Sequence, residues 1–402
     1  MVTYNDPVHG SRWQLTPLEV AFVNHPALLQ LRGKRQLGLT DYVFTSGAHS
    51  RYMHSVGVGL SARRLGESLK IPPNELAVLI AAAFLHDIGH TPFSHAVESA
   101  LGVHHESIPQ RVLRGESYGA IDAQALLATL KQFQIDPIAV ADTLAGTTKL
   151  SQYISHDVID ADRMDYLPRD LIACNVGSNL DLSWLYAKLM IIEGQLGVKR
   201  WAVRDLEQFM VTRARAYDII YYHPTKIAGE QMLVAAVRAD PAFSGGNTDG
   251  ITERADDGFA QAVHRMSDAE LLARLLQSKS PYTRELVTRI LQGPTAWYTV
   301  AIHLGGPEDI AKLTKIREAL PRIQAALAAQ GMICHFTCWK KQWTQNVQPP
   351  VFPVEDGTNL WDYPIARGAW MHVPDRVFVV LAPDANASHA NTVKNVIDSI
   401  IN

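Results

Sequence analysis

The chain has few cysteines, little net charge and no long apolar run. Its three cysteines, Cys174, Cys334 and Cys338, are too few to build a disulfide framework for 402 residues. Cys334 and Cys338 flank HFT, and without a second pair of ligands we interpret them as thiols of a strand and a turn rather than as a zinc site. The formal net charge of -3 excludes a bulk attraction to nucleic acid, so a phosphate-bearing ligand needs a local basic pocket.

Signals for membrane insertion and export are also missing. The apolar run LAVLIAAAFL ends at His86 and is too short to cross a bilayer. The first residues, MVTYNDPVHGSRW, contain neither the basic region nor the apolar core of a secretory signal. We therefore expect a reduced, cytoplasmic protein that is not inserted in a membrane.

Helical periodicity fills the chain up to about residue 235, where apolar residues recur at helical spacing. After about residue 294, the β-branched and aromatic runs AWYTVAIHL, GMICHFTCW and DRVFVVLAP predict strands, with helical stretches between and after them. The sequence therefore predicts a mainly α fold, with an α-helical domain over residues 1–293 and a small α/β domain over residues 294–402.

The segment FLHDIGHTPFSH concentrates imidazoles and a carboxylate behind an apolar helix. These side chains are His86, Asp87, His90 and His95. The helix is predicted to be buried on all sides and to stop at Pro92. The cluster is either a solvated helix end or a metal site, and because an unpaired buried carboxylate is costly, the metal site is favoured.

Two other predicted helices offer further polar side chains. In RYMHSVG, Arg51 and His54 lie three residues apart on one face. In IDADRMDYLPRD, Asp162, Tyr166 and Asp170 share a face, with the intervening proline as a kink or stop. Imidazole and carboxylate together suit Mn, Fe, Co, Ni or Zn better than Ca. Isolated histidines are predicted to have ordinary structural roles, namely His9, His156, His223 and His372.

The ordered segments SRYMHS, FLHDIGHTPFSH and DADRMDYLPRD resemble the HD-domain phosphohydrolases, which are named after the His-Asp doublet. The segments DPVHG, LRGKRQLGLTDYVF, GAHSRYMHSVGVG and YYHPTKIAGEQML resemble the branch that hydrolyses deoxynucleoside triphosphates (dNTPs). Together these segments span roughly residues 4–235, a little over half of the chain. The resemblance implies an HD-domain helical core to which the small α/β unit is appended.

The resemblance also implies a role for each matching residue. The metal ligands would be His54, His86, Asp87 and Asp162. The residues near the phosphate chain and in acid–base catalysis would be Arg51, His90, His95, Glu98 and His105. The residues that frame the sugar or add phosphate contacts would be Gln36, Leu37, Arg163, Tyr166, Asp170, Arg213 and Tyr221.

These assignments imply a divalent transition metal (Mn, Fe, Co, Ni or Zn), with Mg²⁺ as a companion of the nucleotide, and a homo-oligomer. The implied reaction is hydrolysis of a dNTP to a deoxynucleoside and triphosphate. Two alternatives stay open: a phosphatase or phosphohydrolase acting on another nucleotide, and a nucleotide-binding regulator without catalysis.

The chain departs from the family at a site where some members bind an activating guanine nucleotide. Their aspartate and lysine correspond to Asn24 and Val2 here, whereas Arg32 is retained. An asparagine amide presents a donor toward guanine's own donors, and the missing lysine removes a partner for the activator's phosphates. We therefore expect activity that does not depend on a guanine nucleotide at this site.

Overall fold

The computed structural model describes residues 3–155, 158–177, 180–242, 257–294, 298–304, 307–330, 335–339, 351–371, 375–381 and 387–401. Several residues of the sequence analysis lie outside these ranges, namely Val2, His156, Cys334 and His372.

Helices dominate the described part of the chain. They are α1 (Pro17–Val23), α2 (Pro26–Leu29), α3 (Arg51–Ser68), α4 (Pro73–Leu85), α5 (His95–Leu101), α6 (Ser107–Leu113), α7 (Ala123–Gln132), α8 (Pro137–Leu144), α9 (Ala161–Ala173), α10 (Leu182–Tyr186), α11 (Val203–Ala216), α12 (Pro224–Ala239), α13 (Asp257–His264), α14 (Asp268–Leu276), α15 (Pro281–Gln292), α16 (Pro307–Ala328), α17 (Pro364–Met371) and α18 (Ala387–Ile401). Among the described residues, no helix is long and apolar enough to span a membrane.

The strands are short and form antiparallel sheets. They are β1 (Thr3–Asp6), β2 (Gly10–Gln14), β3 (Leu189–Ile192), β4 (Gln195–Val198), β5 (Tyr298–Leu304), β6 (His335–Trp339) and β7 (Asp375–Leu381). Strands β1 and β2 form an N-terminal hairpin, β3 pairs with β4, and β7 lies between β5 and β6. Helices α16 and α18 pack on each other beside the three-stranded sheet. The predicted mainly α fold with a small α/β unit is confirmed.

Helix α3 is the centre of the helical body, because it packs against both α4 and α9. Its first turn is capped by Ser50, whose hydroxyl accepts a hydrogen bond from the Met53 amide. Helix α3 is buried on nearly every side. Other elements can pack closely against α3 because it carries glycines where larger side chains would collide. For example, a Cβ on Gly59 would lie 2.4 Å from the Phe84 ring.

Helix α4 ends at Leu85 and not at Pro92, so the predicted end of this helix is wrong. Beyond it, the backbone turns tightly: the amide of Ile88 bonds to the carbonyl of Leu85 at 3.3 Å. Gly89 allows this turn to touch the next segment, because a Cβ there would lie 2.3 Å from the His105 carbonyl. The His-Asp doublet therefore follows the helix, where both side chains can point to one side.

Helix α9 runs through Pro168 to Ala173, so a stop at this proline is excluded. Its N-cap is Asp160, whose carboxylate accepts a hydrogen bond from the Arg163 amide at 2.7 Å. The continuous helix carries Asp162 and Asp170 on one element, two turns apart.

Residues 351–371 return to the helical body after the chain has entered the C-terminal region. Phe352, Val354 and Leu360 are fully buried within the main apolar core. The amide of Val198 bonds to the carbonyl of Pro353 at 3.1 Å, and α17 packs on α11. The domain boundary between residues 293 and 294 stays a prediction. Segment 351–371 follows this boundary in the sequence but packs in the core of the helical body.

Candidate metal and nucleotide site

The four predicted metal ligands come together from three elements. His54 lies on α3, Asp162 lies on α9, and His86 and Asp87 follow α4. The Nε2 atom of His54 is 3.1 Å from Asp162 Oδ1, 3.2 Å from His86 Nε2 and 3.6 Å from Asp87 Oδ2. These nitrogen and oxygen atoms face one another, as the ligands of a single ion do.

Both imidazoles are oriented by a hydrogen bond from the other ring nitrogen. The Nδ1–H of His54 donates to Asp165 Oδ2 at 2.8 Å, and the Nδ1–H of His86 donates to the Ala83 carbonyl at 2.8 Å. Each ring therefore presents Nε2 to the cluster, in the tautomer that a metal needs. The donor set of two imidazoles and two carboxylates fits a divalent transition metal and does not choose among Mn, Fe, Co, Ni and Zn.

The electrostatics of the cluster favour a cation. Burial opposes ionisation of Asp87, yet neighbouring His86 and Arg51 hold the pKa of its carboxyl well below the usual range. Burial likewise opposes a charge on His54, but hydrogen bonds to Asp162 and Asp165 raise its pKa to about 10.

Arg51 borders the metal cluster. Its Nη1 donates to Asp87 Oδ2 at 2.6 Å and its Nε donates to Ser94 Oγ at 2.5 Å. The guanidinium is almost fully buried and is held from two sides. It therefore brings a fixed positive charge next to any phosphate that reaches the metal.

Three histidines surround Glu98 beside the metal cluster. The Nδ1 atoms of His90, His105 and His95 lie 2.5, 2.8 and 3.4 Å from the Glu98 carboxylate. The rings of His90 and His105 stack at 3.6 Å between centroids. His90 Nε2 also lies 3.3 Å from Asp87 Oδ1, so the two clusters are contiguous.

The histidines around Glu98 differ in protonation. Burial and the nearby Arg51 lower the pKa of His90 to about 4, which keeps this imidazole neutral. Burial opposes a charge on His105, but Glu98 outweighs it and raises the pKa of this imidazole. The side chain of His95 is 70% exposed and faces the solvent. His105 is thus the more basic of the two stacked imidazoles.

We expect His90 to make the protein less stable in acid. Its pKa falls from 6.5 to about 4 on folding, so between these values the unfolded chain binds a proton that the folded chain does not. Acidification through this window therefore favours unfolding, by about 3 kcal/mol for this group. Urea unfolding of metal-free wild type and of His90→Asn, at about pH 7 and about pH 4.5, measures the difference. Equal pH dependence of both proteins would contradict the assignment.

The predicted sugar contacts form a wall next to α9. The hydroxyl of Tyr221 donates to Asp170 Oδ2 at 2.7 Å, and Arg213 Nε donates to the Tyr166 hydroxyl at 3.2 Å. The rings of Tyr166 and Tyr221 meet edge to face at 6.2 Å. Arg163 pairs with its helix cap, Asp160.

Gln36 and Leu37 approach this wall through the main chain. The Gln36 amide bonds to the His49 carbonyl at 2.9 Å, and the His49 ring lies 2.9 Å from Asp170 Oδ1. The side-chain oxygen of Gln36 is buried without a protein partner, and Leu37 is buried.

Sequence reasoning missed several residues of the site. Asp165 and Arg169 lie fully buried on α9, where the only sequence signal is a second acidic residue one turn after Asp162. His49 carries no sequence signal at all. Lys34 lies buried with its Nζ donating to the His90 carbonyl at 2.7 Å and to the His264 carbonyl at 2.9 Å, and burial lowers its pKa to about 7.

Comparison with known proteins identifies the domain that holds these ligands. Residues 51–170 match the HD domain, and all four predicted metal ligands fall inside this range. Over these residues the chain is similar to the HD-domain proteins. Within the matched range, α3 and α9 each carry one predicted ligand, and the other two directly follow α4.

Relatives of this chain include bacterial and eukaryotic proteins. It is 30% identical over 238 residues to YwfO of Bacillus subtilis, which covers 57% of this chain and 54% of YwfO. It is 30% identical over 283 residues to the deoxynucleoside triphosphate triphosphohydrolase SAMHD1 of Gallus gallus, which covers 60% of this chain and 46% of that enzyme. The chain thus spans about half the length of the curated relatives it matches.

Solved structures share the whole fold. A hypothetical protein from Aquifex aeolicus superimposes with a TM-score of 0.73 over 98% of this chain and 99% of its own, at 23% identity. A phosphohydrolase from Bacteroides thetaiotaomicron superimposes with a TM-score of 0.71 over 95% of this chain and 100% of its own, at 20% identity. The fold that this chain shares with them therefore extends beyond the residues that match the HD domain.

Proposed function

We propose that this protein is a metal-dependent dNTP triphosphohydrolase, which converts a dNTP and water to a deoxynucleoside and triphosphate. The observation that carries the proposal is the order of groups along α9. Asp162 belongs to the metal cluster and Asp170 to the tyrosine wall, roughly 12 Å apart along the helix axis. This span suits a nucleotide whose phosphates lie at the metal and whose sugar lies at the wall.

The side chains of the chain fit the steps of this reaction. A bound divalent metal supplies an acidified water and polarises a phosphoryl oxygen. Arg51 holds the phosphate chain by its fixed charge. In the reaction, an oxygen of water bonds to the α-phosphorus and gives up a proton to the solvent, the bond from phosphorus to O5′ breaks, and O5′ takes a proton. A histidine held by Glu98 donates that proton, since Glu98 raises the pKa of His105.

Product analysis tests the proposal. The purified protein is incubated with each dNTP and each ribonucleotide in the presence of Mn²⁺, Co²⁺, Ni²⁺, Zn²⁺ or Mg²⁺. Triphosphate together with a deoxynucleoside supports the proposal. Orthophosphate or pyrophosphate instead supports a phosphohydrolase of another class, and binding without any product supports a nucleotide-binding regulator.

We expect the tyrosine wall to favour deoxyribose. A ring packed against C2′ leaves no room for a 2′-hydroxyl, so dNTPs should have kcat/KM values at least about tenfold above those of ribonucleotides. Replacing Tyr166 by alanine should reduce the ratio of kcat/KM for dNTPs to kcat/KM for ribonucleotides. Replacing Tyr153 by phenylalanine, a buried tyrosine outside the wall, is the matched control. Equal kcat/KM for GTP and dGTP with the wild type would contradict deoxyribose selection.

We expect turnover without a guanine nucleotide activator. Asn24 caps the end of α1, and its amide donates to the Val20 carbonyl at 2.9 Å, so it is occupied by its own helix. The Arg32 guanidinium lies over the Tyr52 ring at 4.1 Å. Rates for one dNTP with and without added GTP measure the effect. A strict requirement for GTP that Arg32→Ala abolishes would overturn this expectation.

A further inference from the structure

The N-terminal hairpin of β1 and β2 contacts the metal cluster through one buried carboxylate. Asp165 accepts a hydrogen bond from the metal-cluster residue His54 at 2.8 Å through Oδ2. Through Oδ1 it accepts a hydrogen bond from Nε2 of His9, also at 2.8 Å. His9 lies in the turn of the hairpin, far outside the matched HD domain at residues 51–170.

An arginine ties the hairpin to the same carboxylate a second time. Arg169 donates to Asp165 Oδ1 at 2.7 Å and to Asp165 Oδ2 at 2.9 Å. Its Nη2 also donates to Asp6 Oδ2 at 2.8 Å, and Asp6 ends β1. The side chains of His9 and Asp165 have no exposed surface, and that of Arg169 is 2% exposed. Buried charges with this many partners hold a single geometry.

The hairpin itself is rigid where it supplies these side chains. The other carboxylate oxygen of Asp6 accepts hydrogen bonds from the backbone amides of Val8 and His9, at 2.8 and 3.0 Å. The indole of Trp13 donates to the His9 carbonyl at 2.7 Å. These bonds fix the turn, so His9 is presented to Asp165 in one position.

The facing helix leaves room for this contact. A Cβ on Gly57 of α3 would lie 1.8 Å from Asp165 Oδ1 and 2.3 Å from Arg169 Nη2. A side chain at this position would therefore displace the carboxylate from both His54 and His9. Gly57 is thus a position where close approach requires glycine.

We infer that the N-terminal hairpin is a positioning element of the metal centre. In it, His9 holds Asp165 directly and Asp6 holds it through Arg169, and Asp165 orients the proposed ligand His54. A carboxylate on Nδ1 fixes the ring so that Nε2 faces the metal and makes that nitrogen a stronger donor. His9 anchors the side of the carboxylate opposite His54, and without this anchor that oxygen is held only by Arg169. The inference concerns the binding of the metal and does not depend on the identity of the substrate.

Metal affinity tests the inference without any substrate. We expect His9→Ala to bind Co²⁺ about 10- to 100-fold more weakly in chelator competition, as is typical when an outer partner of a ligand is lost. We expect His9→Gln, whose amide can donate to Asp165, to recover part of this loss. The visible spectrum of bound Co²⁺ should change in His9→Ala, because the geometry of His54 changes.

His25→Ala is the matched control, because His25 is also a buried histidine but caps α2 through the Ala27 amide. It should change thermal stability and leave Co²⁺ affinity unchanged. If His9→Ala does not fold, His9→Gln and Asp6→Asn carry the test, and weaker Co²⁺ binding in both is expected. Wild-type affinity and an unchanged Co²⁺ spectrum in the folded His9 variants would overturn the inference.

Discussion

Replacing Asp87 with alanine will release the metal and lower kcat/KM at least about a thousandfold. Asp87 faces His54, His86 and His90, so it belongs to both the metal cluster and the histidine cluster. Removing it deletes one ligand and leaves the Arg51 guanidinium buried without its nearest carboxylate. Metal content after dialysis and the rate with one dNTP together measure the effect.

The fold of this variant must be checked separately, because an unpaired buried arginine is destabilising. Asp87→Asn keeps the shape and removes the charge, so it should lose metal with less damage to the fold. Far-UV circular dichroism distinguishes unfolding from a specific loss of metal. A folded Asp87→Asn or Asp87→Ala protein that retains one metal per chain would exclude Asp87 as a ligand.

Arg51→Ala is the second substitution with a large expected effect. Loss of one charge-assisted contact to the reacting phosphate costs on the order of 2 to 4 kcal/mol, or about 30- to 1,000-fold in kcat/KM. Arg51→Lys should recover only part of the rate, because an ammonium lacks the two-pronged geometry of guanidinium. Arg64→Ala is the matched control, since Arg64 lies on the same helix and stacks over Tyr186 away from the site.

Metal content separates two causes of a slow Arg51 variant. Arg51 bonds directly to Asp87, so its loss could weaken the metal as well as the phosphate contact. A variant that keeps its metal and loses turnover supports a phosphate role. Turnover at the wild-type rate in Arg51→Ala would contradict the proposed orientation of the substrate.

The proposed ligands of the metal could be named in advance because they sit on motifs whose order along the chain is distinctive. His54, His86, Asp87 and Asp162 could be named from local sequence, since each lies within a short run of characteristic residues. The distances between these side chains could not be predicted, because three separate elements of the fold determine them. The end of α4 at Leu85 could not be predicted either. The chain leaves the helix in a turn that depends on the close tertiary contacts of Gly89, and the apolar pattern of the sequence does not show these contacts.

The outer parts of the site could not be predicted, for a different reason. His9 and Asp165 are far apart in the chain, and neither belongs to a helical or strand pattern that points to the other. A single sequence shows a histidine in a turn and an aspartate on a helix, for which structural roles are the common outcome. Only the fold reveals that the two side chains share one buried hydrogen bond.

The returning segment 351–371 has a consequence for the order in which the protein matures. During synthesis, the ligands of the metal have all been made by residue 162, and the helices that carry them can pack at once. Helix α11, which carries Arg213, is covered by α17, which is made much later. The four proposed ligands are therefore all synthesised before the helix that packs on α11, so the ligand cluster can form independently of the last part of the chain to be made.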